Sequence, residues 1–191
     1  MKRMQKKLKD ITTVQMGYTF RGAIKNNDDG NMFVISAKDV RNNFIITNKG
    51  LKKIDHPINK NRLLKEDDVI LSNRMYFKAS VVDINENTIA ASSIYVLRVD
   101  KKIILPEYLA LWINSHKGQS VLDRNSTGMT IKTILKTNLE NIEIDIPDLD
   151  NQQKIIELSR SKNILIDKIK QKEKILNNIF QGTLTKIINK Q

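Results

Sequence analysis

Two histidines, His56 and His116, are the only imidazoles in the chain, and neither has a second histidine or a cysteine at ligand spacing. Each sits among loop-forming residues, in Asp55-His56-Pro57 and Ser115-His116-Lys117, which suits a surface or capping role better than metal binding or general-base work. There is no cysteine, so disulfides, thiolate zinc sites and thiol nucleophiles are excluded. The glycine patterns that cradle phosphate (GxxxxGK[ST], GxGxxG) or expose a nucleophilic serine (GxSxG) are missing. None of the three prolines adjoins another, which removes the Pro-Pro-aromatic loop of the usual adenine methyltransferase. The nearest approach to a nuclease metal site is Asp83 with Asp100-Lys101-Lys102. Acid and lysine pairs are common where a strand ends, and this one reads as a turn after a strand. Glu66-Asp67-Asp68 and Asp28-Asp29-Gly30 have the composition of solvated turns. If the protein takes part in an enzyme, another chain carries the chemistry.

Charge points in one direction. Lys plus Arg number 33 against 21 Asp plus Glu, a net charge of +12. Such an excess implies a polyanionic partner, nucleic acid before a membrane surface. No run of eighteen apolar residues is present, and basic Met1–Lys7 leads into Leu8-Lys9-Asp10 where a signal peptide needs an apolar stretch. The expectation is a cytoplasmic protein with no membrane partner.

Any binding groups must be positioned by two regions of different character. Residues 1–147 read as a mixed α/β domain within an α+β chain. Met32-Phe33-Val34-Ile35 and Val69-Ile70-Leu71 are short apolar runs bounded by turn formers, the pattern of buried strands. Ala79–Ile84 and Ser93–Val99 flank Asn85-Glu86-Asn87 and predict a hairpin. Pro106–Asn114 predicts a helix with proline in its first turn and Leu109, Trp112 and Ile113 on one face. A second short helix should carry Ser120-Val121-Leu122, and Ile142–Ile146 alternates like a last strand. Residues 148–191 follow a helical rhythm, in which Ile155, Leu158, Leu165, Ile169, Leu176 and Ile179 fall on a heptad seam. Lys162 and Lys172 take the two skipped positions, and Asp148 or Asp150 can cap the start. A rod of this length needs a partner helix. The alternative is a helical hairpin broken near Ser159-Arg160-Ser161 or at Gly182.

Several pieces occur together in a fixed order. They are Leu8-x-x-Ile11 before Gly17-Tyr18-Thr19-Phe20, Asp68-Val69-Ile70-Leu71-Ser72, and Ala90-Ala91-Ser92-Ser93 before a strand. Leu105-Pro106-Glu107-Tyr108-Leu109, Gly118-Gln119, Ser126-Thr127-Gly128-Met129-Thr130-Ile131, Ile142–Pro147 and Gln153-Lys154-Ile155 follow. This ordered set resembles the specificity subunits of type I restriction–modification systems. The chain departs from that pattern at Asn73-Arg74-Met75, where Arg-Gly is frequent, and at Asp148, where a second proline is common. The resemblance implies a target-recognition domain followed by a long spacer helix, half of the usual two-domain plan. It also implies self-pairing through an antiparallel coiled coil and binding of double-stranded DNA. A modification methyltransferase subunit, which would hold the S-adenosylmethionine, is an implied partner, as is a restriction motor subunit. The chain itself needs no cofactor or metal.

Four loops carry groups suited to DNA, in which phosphate contacts supply affinity and base contacts discriminate. They hold Tyr18, Arg21 and Lys25; Lys38, Arg41, Asn42 and Asn43; Asn73, Arg74, Tyr76 and Lys78; and Arg124, Ser126, Thr127, Thr130 and Lys132. Arg41 and Arg74 are the leading base readers, because an arginine fork matches guanine O6 and N7. Simpler roles stay open for some: Gly17-Tyr18 as a packed turn, Asn42-Asn43 as a turn, and Ser126-Thr127-Gly128 as the cap of a helix beginning near Ile131. A module that occupies a methyltransferase without reading DNA is the alternative function.

Overall fold

The computed structural model describes residues 4–40, 45–57 and 59–188. The chain divides into two compact units, Met1–Gln153 and Lys154–Gln191.

In the first unit β1 (Met4–Lys7), β2 (Thr12–Met16), β3 (Met32–Ile35), β4 (Ile45–Ile46) and β5 (Lys52–Ile54) come first. Then follow β6 (Val69–Ser72), β7 (Ala79–Val82), β8 (Thr88–Ala90) and β9 (Ile94–Val99). Helices α1 (Pro106–Asn114) and α2 (His116–Arg124) precede β10 (Ser126–Thr127), β11 (Thr133–Ile134), α3 (Lys136–Glu140) and β12 (Glu143–Ile146). The main sheet has the order β2-β9-β6-β7-β4, and a second sheet has the order β5-β3-β8. β6 lies at the centre with all four residues buried, which explains its unbroken apolar run. A core of Ile35, Val40, Ile46, Leu64, Ile70, Val82, Ile84, Ala90, Ile94 and Val96 joins residues of both sheets. β12 pairs antiparallel with β1 and buries Ile144 and Ile146 while its acids face outward.

The expected hairpin of Ala79–Ile84 with Ser93–Val99 does not form. β6 lies between these strands, pairing antiparallel with both β7 and β9. The intervening segment leaves the sheet, because β8 pairs parallel with β3. The turn-rich Asn85-Glu86-Asn87 therefore connects two sheets rather than neighbouring strands.

Asp68 also departs from expectation. It is 3% exposed, and Arg98 donates to it from Nε (2.9 Å to Oδ1) and Nη2 (3.2 Å to Oδ2). The Lys65 amide donates to Asp68 Oδ2 at 2.9 Å, and Arg98 Nη2 donates to the Leu63 carbonyl at 2.8 Å. This acid is a buried clamp at the start of β6.

α1 and α2 lie where their periodicity puts them. Proline opens α1, and Leu109, Trp112 and Ile113 are buried. Ser115 caps α2, accepting from the Gly118 amide at 3.0 Å. A side chain at Gly118 would meet the Trp112 carbonyl oxygen at 2.1 Å, so only glycine lets the two helices turn so tightly.

α4 (Leu149–Ile188) is one continuous helix of 40 residues, about 60 Å of rise. It runs unbroken through Ser159-Arg160-Ser161 and Gly182, so the broken-hairpin alternative is set aside. Asp148 caps it, accepting from the Asn151 amide at 2.9 Å. The buried glutamine at its start is Gln152, the neighbour of the one singled out from the sequence. Its Oε1 accepts from the Leu105 amide at 2.8 Å, and its Nε2 donates to Ile103 and Pro147 carbonyls at 2.9 and 2.8 Å. Along the helix the seam residues are open, from 39% exposed at Ile155 to 73% at Leu158. No helix among the described residues is long and apolar enough to cross a membrane.

Candidate nucleic-acid interface

The turn Ala91-Ser92-Ser93, between β8 and β9, organises the candidate loops. The Gly17 amide donates to Ile94 O (2.9 Å) and the Tyr18 amide to Ala90 O (2.7 Å). A Cβ at Gly17 would stand 2.1 Å from Ala91 O, so the first loop reaches the turn only through glycine. The Ala37 amide donates to Ser93 Oγ at 3.3 Å, bringing in the 3-10 turn that carries Lys38. The Asn73 amide donates to Ser93 O (3.0 Å) and its Nδ2 to Ser92 O (2.9 Å), which fixes the third loop.

That third loop, residues 73–78, is held at both ends. Ser72 N donates to Lys78 O and Lys78 N to Ser72 Oγ, both at 2.9 Å, while Ser72 Oγ donates to Tyr76 O. Phe77 is 1% exposed and anchors the loop inward. Gln119 Nε2 donates to Phe77 O and Ile113 O, each at 2.7 Å, and Asn114 makes a reciprocal pair with the Ala79 backbone. The Gly118-Gln119 pair thus positions the loop in two ways, through a close helix turn and a bracket beneath it. Met75 takes φ of 61°, a left-handed conformation costly for a residue with a Cβ. Arg74, Met75 and Tyr76 are exposed at the surface, with Lys78 Nζ 5.8 Å from the Tyr76 ring centroid.

The fourth loop is the tip of a hairpin. Ser126 pairs with Ile134 and Thr127 with Thr133, so the helix cap considered for Ser126-Thr127-Gly128 is replaced by strand pairing. Gly128 has φ of 97°, and a Cβ there would lie 2.3 Å from Ile131 O. Backbone bonds join this hairpin to the third loop: Met75 N to Lys132 O (2.9 Å), Ile134 N to Asn73 O (3.2 Å), and a bridge between Arg74 and Thr133. Buried Tyr95 donates its hydroxyl to Ile134 O at 3.1 Å. Burial first, then the Glu140 carboxylate, raises its pKa and keeps it a donor.

The sequence-predicted residues fall into distinct settings. Arg21, Lys25, Lys38, Arg74, Tyr76, Arg124, Thr127, Thr130 and Lys132 are exposed, and Lys78 and Ser126 are half-buried. Tyr18 is half-buried in an edge-to-face cluster with Phe20 and His56, at centroid distances of 5.0 and 4.7 Å. Lys132 pairs with Asp123 at 3.0 Å. Ser126 and Thr127 direct their hydroxyls to Asp123 O and Thr133 O, holding the hairpin. Arg41, Asn42 and Asn43 lie outside the described residues. Asn73 corrects its expectation: at 2% exposed it cannot touch a base, because β6 and the 91–93 turn enclose it. Its Oδ1 has no hydrogen-bond partner. Sequence reasoning missed the exposed apolar Met75, Met129 and Ile131. It also missed the organising part of Ser92-Ser93, which only tertiary pairing reveals.

Of the acid and lysine groups weighed as a nuclease site, Asp100 and Lys101 are used locally. Asp100 Oδ1 accepts from the Lys102 amide at 3.0 Å, and Lys101 pairs with Asp67, whose hydrogen bond raises the lysine pKa. Among the described residues no group of three or more His, Cys, Asp or Glu could hold a metal ion.

Residues 2–179 match the model of the type I restriction modification DNA specificity domain. The type I restriction enzyme MjaIX specificity subunit of Methanocaldococcus jannaschii is 26% identical over 178 residues, 91% of this chain and 41% of the relative. A chain from a structure concerned with complex assembly and conformational transition of the type I R-M system aligns with TM-score 0.66 and 18% identity. It is matched over 88% of this chain and 40% of its own length. The HsdS subunit from Thermoanaerobacter tengcongensis gives TM-score 0.62 and 16% identity, over 88% of this chain and 39% of that one. The chain spans about two fifths of the length of these relatives. With the family pattern running through nearly all its elements in order, the chain belongs to the type I restriction modification DNA specificity family.

Proposed function

We propose that this chain is a non-catalytic DNA-recognition subunit, and that the loops gathered at the 91–93 turn form its reading face. The observation that carries the reading is the junction of exposed Arg74 and Arg124 and half-buried Lys78 with two backbone-locked loops, in a chain of net charge +12. Arg74 is the base reader, a fork suited to guanine. Lys25, Lys38 and Arg124 anchor phosphates, and Lys132 exchanges Asp123 for a phosphate on binding. Asn73 is a positioning residue that ties the third loop to its neighbours.

In this reading residues 1–147 recognise DNA and residues 148–191 act as the spacer, with the start of α4, through Gln152, held in the first compact unit. Two copies pair through Ile155, Leu158, Leu165, Ile169, Leu176 and Ile179 as an antiparallel coiled coil. Antiparallel pairing separates the two starts of α4, so the pair reads two inverted half-sites across an unread gap. A modification methyltransferase subunit using S-adenosylmethionine is delivered to that target, and a restriction motor subunit joins in the full assembly. The setting is the cytoplasm.

A fluorescence titration on duplex DNA across a salt series tests this against a module that binds only the methyltransferase. A DNA reader loses affinity with a log–log slope of about −0.9 per neutralised phosphate, with several phosphates engaged. Replacing Arg124 by alanine lowers that slope by about one for all sequences alike. A flat salt response defeats the reading. With magnesium and S-adenosylmethionine, the chain alone is expected neither to methylate nor to cut DNA. Turnover abolished by Asp100→Ala overturns that part.

A further inference from the structure

We infer that the tip of the β10–β11 hairpin, Met129 with Ile131 beside Met75, reads thymine by its 5-methyl group in the major groove; the inference rests on the DNA-reading function proposed above. Met129 is fully exposed at 103%, with Met75 at 60% and Ile131 at 55%. These apolar side chains do not hang from a loose loop. Left-handed Gly128, cramped against Ile131 O, sets the turn, and the bond from Met75 N to Lys132 O joins the tip to the Arg74 loop. A hydrogen-bonded backbone therefore holds three apolar side chains out in water, where they are left unburied by the described residues.

Charge decides what covers it. Exposed Arg74 lies on the loop bonded to the tip, and exposed Arg124 precedes the hairpin. An apolar protein surface would have to desolvate these cations, whereas a duplex offers them phosphates and guanine edges. The 5-methyl of thymine is the apolar group that a base pair presents in the major groove. An apolar tip bonded to the loop that carries Arg74 matches such an edge: a methyl contact next to a hydrogen-bonded guanine or a phosphate.

The test uses a duplex selected by the full-length protein from a random pool. Each thymine is replaced in turn by deoxyuridine, which removes one methyl and leaves every base-pairing group. At one or two positions affinity is expected to fall about fourfold, the equivalent of roughly 0.8 kcal/mol for one buried methyl. In Met129→Ala/Ile131→Ala that sensitivity should vanish while the preference owed to Arg74 remains, and Met129→Leu should retain it. Thermal unfolding of the variants should match the parent, since both side chains are exposed. Wild-type protein indifferent to every deoxyuridine, a selected site with no preferred thymine, or sensitivity unchanged in the double variant overturns the inference alone. Loss of methyltransferase capture with deoxyuridine sensitivity intact also overturns it and reassigns the tip to a protein partner. A wild-type protein that selects no sequence removes the proposed function with it.

Discussion

Leu165→Asp combined with Ile169→Asp is expected to convert a dimer into a monomer without unfolding the first unit. Both side chains lie mid-seam on α4 and are 58% and 57% exposed in the single chain. Burial of such a side chain is worth about 1.5–3 kcal/mol, and a two-fold pair loses four of them. The loss is then at least about 6 kcal/mol, which weakens association more than roughly ten-thousandfold. Charged replacements add repulsion at the contact. Light scattering at micromolar concentration checks it: a dimer for the parent, a monomer for the variant. DNA affinity should fall as well, because two linked half-sites become one independent contact. A parent that is already monomeric would remove the paired-helix architecture.

The largest stability effect is expected at Asp68. Asp68→Ala removes the partner of Arg98 from a site where the carboxylate is 3% exposed. The Lys65 amide loses its acceptor at the same time. Breaking a buried ion pair costs about 3–5 kcal/mol. Arg98 is itself partly open to solvent, which places the cost near 3 kcal/mol. For a domain of this size the midpoint of thermal denaturation should fall by roughly 10 °C. The compensated variant Asp68→Leu/Arg98→Met should recover much of the loss, since replacing both partners avoids a stranded charge. A shift below about 2 °C in Asp68→Ala would contradict the clamp.

Helices were more legible in the sequence than sheets, for a physical reason. The bounds of α1 follow from Pro106 and the spacing of Leu109, Trp112 and Ile113, and the helical state of α4 from its apolar repeat. Both signals are local. Strand partners are not: Ala79–Val82 and Ile94–Val99 show the same alternation whether they pair with each other or with β6. The detour of β8 into the second sheet depends on β3, more than fifty residues earlier. Asp68 looked like a turn residue because nothing local reveals Arg98, thirty positions away. The site follows the same division. Residue chemistry singled out Arg74 and Arg124, which do stand at the surface, and Lys78, which is half-buried. Burial of Asn73, the seating of three loops at the 90–94 turn region and the bonding of the fourth loop to the third come from tertiary hydrogen bonds. The exposed methionines escaped because an apolar residue in sequence reads as core.

Sequence reading by this chain is tested most directly by genome-wide mapping of methylated bases in cells co-expressing it with a modification methyltransferase subunit. The expected result is a single two-part motif that appears only when the chain is present. Arg74→Ala should relax that motif at one position in each half-site, a loss of about 1–3 kcal/mol of discrimination there, and leave the other positions and the gap unchanged. Methylation that does not depend on the chain, or a motif identical in the Arg74→Ala variant and the parent, would contradict the account.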